Sequence, residues 1–103
     1  MENYTKIRVV KEKENTMQYI SEEELVLLKL CGKYVYIEYL NDNGQLHRLD
    51  GPAFEGSSGY KAWYKEGRAH RTGGPAVVWS NGREFWYVNG IERAQEGGEY
   101  EVQ

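Results

Sequence analysis

The residues of this chain best suited to chemistry are two pairs, His47-Arg48 and His70-Arg71, which hold both of its imidazoles. Imidazole can carry a proton or ligate a metal, and a guanidinium fork fits phosphate or carboxylate. Their setting is written twice. Gly44-Gln45-Leu46-His47-Arg48-Leu49-Asp50-Gly51-Pro52-Ala53 recurs as Gly67-Arg68-Ala69-His70-Arg71-Thr72-Gly73-Gly74-Pro75-Ala76, so Gly, His, Arg, Gly, Pro and Ala return after 23 positions. An internal repeat of this kind supports two readings. In one, each His bonds a nearby backbone group or ring and fixes the geometry of the repeat. In the other, equivalent His and Arg side chains line a face and bind an anion, Arg48 and Arg71 forking onto it. Alternation along a strand would send His and Arg to opposite faces, so at most one of the two types would line any one groove.

Catalytic readings find little support. His70-Arg71-Thr72 has a His-x-Thr form found in some phosphoesterases, but its counterpart His47-Arg48-Leu49 lacks the hydroxyl. Two His and one Cys do not close a zinc site without carboxylate help. There is no Gly-rich phosphate loop or nucleophile elbow, and Gly56-Ser57-Ser58-Gly59 reads as a hairpin turn. The chain is therefore read as non-enzymatic, with no catalytic residue, metal or cofactor.

The second chemical resource is aromatic: nine Tyr, three Trp and two Phe make up 14% of the residues. In each of the pairs Trp63-Tyr64 and Trp86-Tyr87, alternation predicts one ring toward the core and one outward. Outward rings serve a protein interface or a stacking platform for a base. Trp79 stands out because its counterpart one period earlier is Gly56, so the repeat itself does not require it. The candidate ligand-binding set is His47, Arg48, Trp63, His70, Arg71, Trp79, Arg83 and Trp86. A ring would stack on a base while Arg48, Arg71 and also Arg68 or Arg83 meet phosphate, making the expected ligand small, anionic and nucleotide-like. The alternative is a protein partner on the same aromatic and Arg surface.

The elements that must carry these residues are short. Lys6-Ile7-Arg8-Val9-Val10-Lys11 alternates as an edge strand with Ile7 and Val9 on one face, and residues 17–20 make a second short strand or lead directly onward. Ser21-Glu22-Glu23-Glu24 has the form of a capping box, Leu25, Leu28 and Cys31 make an apolar stripe, and Gly32 sits where helices end. A helix over 21–31 follows, with a buried strand at Leu25-Val26-Leu27-Leu28 as the competing reading. From Tyr34 the pattern is β: strands at 34–39, at 60–64, at 76–79 and at 83–87, and another opened by Gly51-Pro52, all punctuated by Gly and Asn turns. The predicted fold is α+β. Residues 1–33 form a strand and helix, and residues 34–103 an antiparallel meander of five to six strands from two to three 23-residue hairpin repeats, in one compact unit. The third copy, from Ile91, decays as a capping repeat does.

The pattern Gly-x-x-His-Arg-x-x-Gly-Pro-Ala, followed by a turn Gly and Trp-Tyr-x-x-Gly over residues 34–93, resembles the short β-hairpin repeats akin to the MORN repeat. Such repeats occur in small proteins of phages, large viruses and bacteria. The resemblance implies a sheet used for binding and a phage-encoded protein, and it names no ligand; sequestration of a host immune signal in the host cytoplasm is the use expected from the rings beside the His-Arg pairs. Two departures are visible: Gly73 stands where the first copy has Asp50, and Leu40 where the later copies have Trp63 and Trp86.

Composition bounds the rest. With 103 residues the chain buries little surface, and a homo-oligomer would relieve that. A formal net charge of −3 argues against a binder of duplex nucleic acid. The single Cys31 cannot form an internal disulfide, and neither a signal peptide nor an apolar run near the roughly 20 residues of a membrane span is seen. The expectation is a soluble, cytoplasmic protein.

Overall fold

The computed structural model describes residues 1–94. The order is β1 (Lys6–Lys11), β2 (Met17–Ile20), α1 (Glu22–Cys31), β3 (Tyr34–Leu40), β4 (Phe54–Gly56), β5 (Lys61–Ala62), β6 (Tyr64–Lys65), β7 (Arg68–Ala69), β8 (Val77–Val78), β9 (Glu84–Val88) and β10 (Ile91–Arg93). The molecule is α+β: eight strands form one antiparallel sheet, ordered β10-β9-β8-β5-β4-β3-β1-β2, and β6-β7 is a separate hairpin. Sequence expectations for the decaying third copy beyond Ala94 lie outside the described residues. Among the described residues no helix is long and apolar enough to cross a membrane.

The helix forms as its sequence dictates. Ser21 accepts from the Glu24 N–H, the Glu24 carboxylate reaches back to the Ser21 N–H, and Gly32 closes the helix in the left-handed region at φ 71°. This reciprocal cap decides the ambiguous Leu-Val-Leu-Leu run in favour of a helix. Leu25 and Leu28 then pack on Ile7, Val9, Ile37 and Tyr39, with Tyr4, Ile20 and Tyr34 around them. Cys31, predicted to extend that stripe, is exposed.

Three predicted features are corrected. β1 is an inner strand, paired with both β2 and β3, so the edge belongs to β2. Nothing in an alternating run tells an inner strand from an edge, because both bury one face. The predicted strand over 60–64 is broken at Trp63: the chain leaves the main sheet after Ala62 and enters the small hairpin at Tyr64. Finally, β5 pairs directly with β8, so β6-β7 stands outside the ladder and the sheet is not a plain meander.

The hairpin turns explain the His positions. Glu66-Gly67 and Asn89-Gly90 both have positive φ at two successive residues (49° and 81°, 51° and 80°), the requirement of a type I′ turn. Asn tolerates that region, whereas Glu is strained there. Glu66→Asn is therefore expected to stabilise the protein by about 0.5–1 kcal/mol, read as a higher urea midpoint at unchanged slope.

Candidate functional site

The two His-Arg pairs occupy equivalent positions, and each has a structural task. His47 Nδ1 accepts the Glu66 N–H at 2.9 Å, and His70 Nδ1 accepts the Asn89 N–H at 3.0 Å. Each imidazole thus pins the first positive-φ residue of the type I′ turn that follows its own copy. Accepting at Nδ1 leaves the proton on Nε2, which in His47 donates to the Glu2 carbonyl at 2.8 Å. His47 is 2% exposed. His70 is held below the usual imidazole range by burial and then by the nearby Lys65 charge, which favours the neutral ring.

Each Arg folds back over its own Gly-Pro turn. Arg48 donates to the Pro52 carbonyl at 3.1 Å and Arg71 to the Pro75 carbonyl at 3.1 Å. The Arg48 guanidinium lies 4.0 Å from the Tyr39 ring centroid, and that of Arg71 lies 3.9 Å from Trp63. A Cβ on Gly51 would stand 2.8 Å from Arg48 Cζ, and one on Gly74 2.8 Å from Arg71 Cζ. A side chain at either position would therefore displace the guanidinium from its place over the ring, and neither Gly51 nor Gly74 has a positive φ that would call for glycine.

This geometry corrects the sequence alignment at one position. Tyr39, not Leu40, is the counterpart of Trp63. The His47 N–H bonds the Tyr39 carbonyl as the His70 N–H bonds that of Trp63, and the Tyr39 N–H bonds Ala53 as the Trp63 N–H bonds Ala76. The first turn, Asn41-Asp42-Asn43-Gly44, is one residue longer than Lys65-Glu66-Gly67, which shifts the register by one.

The eight predicted residues do not form one site. Arg48, Trp63, His70 and Arg71 converge with Leu49, Asp50, Lys65 and Thr72 around a cleft of about 570 Å³ between the two Gly-Pro loops. Both His70 and Arg71 line it, against the expectation from alternation, because these residues lie outside the strands. His47 is buried under the N-terminal segment instead. Trp79 and Arg83 lie elsewhere: the Arg83 guanidinium is 5.0 Å from the Trp79 ring and 5.5 Å from Phe85, and Trp79 borders a 340 Å³ hollow with Tyr60, Tyr64, Val77, Phe85 and Tyr87. Trp86 borders a third depression with Glu84, Glu92 and Arg93. Trp-Tyr neighbours do take opposite faces, Trp63 under Arg71 and Tyr64 in the hollow, but none of these rings is fully buried.

The charges of the cleft are asymmetric between copies. Arg48 meets Asp50 at 3.0 Å and Glu55 at 3.9 Å. Glu55 also takes the Tyr39 hydroxyl at 3.0 Å and Lys29 at 2.9 Å. Asp50 is held below the usual carboxylate range by Asn3 and then Arg48. Twenty-three residues on, Asp50 is replaced by Gly73 and Glu55 by Val78, and among the described residues Arg71 makes no ion pair. The lining holds three permanent cations, Arg48, Lys65 and Arg71, against one carboxylate, Asp50. Lys65, Thr72 and Leu49 were not singled out from sequence, since a turn lysine and two non-recurring residues carry no signal of their own.

The first copy is also sealed by the N-terminus. Asn3 donates to Asp50 at 3.1 Å and accepts the Leu49 N–H at 2.8 Å, and Tyr4 packs edge-on to Tyr39 with ring centroids 4.8 Å apart. Burial, then the Glu22 carboxylate that its hydroxyl meets, pushes Tyr4 up to about 12, and burial followed by Glu55 raises Tyr39 as well. A folded-state pKa above the unfolded value near 10 means that unfolding releases protons above that pH. The stability from these two phenols is expected to be complete below pH 10 and to fall steadily from pH 10 to 12; thermal melts in that window check it, with Tyr4→Phe flattening the decline. Comparison with known protein families, with curated proteins and with solved structures finds no match.

Proposed function

We propose that this chain is a non-enzymatic binding protein that captures a small anionic, nucleotide-like ligand in the cleft between its Gly-Pro loops. One observation carries the reading: Arg71 keeps the ring and carbonyl contacts of Arg48 but lacks both of its acidic neighbours. A guanidinium held in place, with Lys65 beside it and Thr72 nearby, is completed by a phosphate or carboxylate. Trp63 and the exposed Leu49 supply the apolar wall for a flat group such as a base. Capture without turnover is favoured because the cleft's imidazole is committed through Nδ1 to the Asn89 N–H. The architecture is proposed to be two MORN-like hairpin copies and a partial third, and the use to be sequestration of a host signalling nucleotide by a phage-encoded protein.

A second reading rests on the other sheet face, which carries the rings. Tyr36 stacks on Phe54 at 5.1 Å, Phe54 meets Tyr60 edge-on at 5.6 Å, and Trp79 lies 5.1 Å from Phe85. Such a row, with Arg83 on it, fits a protein partner. Titration of nucleoside monophosphates and cyclic dinucleotides, followed by NMR of indole and guanidinium N–H signals, separates the two. Shifts at Trp63 and Arg71 with Trp79 silent support the cleft; shifts confined to Trp79 and Arg83, or none, would overturn it.

A further inference from the structure

Helix α1 is apolar on two sides. Leu25 and Leu28 face the sheet, whereas Val26, Leu27 and Leu30 are 59%, 67% and 79% exposed. At roughly 100° per residue, these three fall within an arc of about 100° pointing away from the sheet. One flank of the helix is used, where Lys29 reaches Glu55, and on the other side Leu27 stands at the rim of a hollow bounded by Ile20, Glu24 and Cys31. A helix apolar on both faces is a buried helix, and none of the described elements covers the outer one.

We propose that this outer face is a two-fold interface, with α1 packing antiparallel on α1 of a second copy about an axis near Leu27. The charge pattern selects this occupant. The first turn carries Glu22, Glu23 and Glu24, and Lys33 lies just beyond the last turn, whose Lys29 is turned to Glu55. Antiparallel packing sets each acidic turn beside the partner's basic end and opposes the two helix dipoles, with Val26, Leu27 and Leu30 meeting in the centre. A closed two-fold contact must be self-complementary, and an apolar patch flanked by opposite charges satisfies that in the antiparallel sense alone. Parallel packing would stack acid on acid. A ten-residue helix spans about 15 Å, so the contact falls below the roughly 1,200 Å² of a standard stable interface and the dimer is a weak one.

Sedimentation equilibrium from micromolar to millimolar concentration tests this. Wild-type protein is expected to move from 12.0 kDa toward twice that mass. Leu27→Glu/Leu30→Glu should remain monomeric with an unchanged far-UV spectrum and melting temperature, because both side chains are exposed in the single chain. In a Cys31→Ser background, Leu27→Cys is expected to give a disulfide-linked dimer under copper–phenanthroline oxidation, whereas Val35→Cys is not. A monomer throughout would overturn the proposal. So would a dimer that the double Glu variant leaves intact, as pairing through the open β2 edge would give.

Discussion

His47→Ala is expected to cost about 3 kcal/mol of stability, and His70→Ala about 1 kcal/mol, although the two residues are the same position of the repeat. Both substitutions remove the acceptor that pins a type I′ turn. The difference lies in what surrounds the ring. His47 is buried beneath the N-terminal segment that precedes β1 and also bonds Glu2, so its loss leaves a cavity and a stranded carbonyl, while solvent can replace the exposed bond at His70. For a domain of this size the larger figure means a fall of roughly 12–24 °C in melting temperature, and the smaller one roughly 4–8 °C. Equal losses in thermal melts would show that the N-terminal seal contributes little.

The arginines are expected to divide the other way. Arg71→Ala should weaken binding of a phosphate-bearing ligand by about 100-fold, the scale of one charge-assisted forked contact, and change stability by about 1 kcal/mol. Arg48→Ala should cost about 2–3 kcal/mol of stability, because it leaves Asp50 without its cation, leaves Glu55 with Lys29 alone and uncovers Tyr39. Since Arg48 is neutralised internally, its loss should change ligand affinity less than tenfold. The pair is read by combining urea denaturation with titration calorimetry on both variants. A ligand that loses equal affinity in both would place the anion on the first copy as much as the second.

Much of the framework was legible in local sequence. Ser21 through Glu24 specified the helix start by a contact three residues long, and the Gly44-to-Ala76 recurrence specified equivalent turns. What escaped was what distance along the chain hides. A continuous Tyr-Lys-Ala-Trp-Tyr run looks like one strand, yet the backbone leaves the sheet at Trp63, because strand propensity does not register a change of sheet. Tyr39 was passed over for Leu40 because one extra turn residue breaks a fixed period. The His-Arg pairs were assigned to a pleat they do not occupy, so a rule of alternation failed there. The N-terminal residues Glu2, Asn3 and Tyr4, about 45 positions from the loop they seal, left no trace in the repeat at all. The candidate site was half legible: Arg48, Trp63, His70 and Arg71 do meet, whereas Trp79, Arg83 and Trp86 belong to other surfaces.

In the proposed reading, the absence of both acids from the second copy makes the cleft an anion site, and calorimetric titration across a panel of cyclic and linear nucleotides, with wild type and Arg71→Ala side by side, tests it most directly. Saturable heat for at least one member, with an affinity that falls as salt rises and falls about 100-fold in Arg71→Ala, is the result this account expects. Heat of equal size in the variant, or none from any member of the panel, would contradict it.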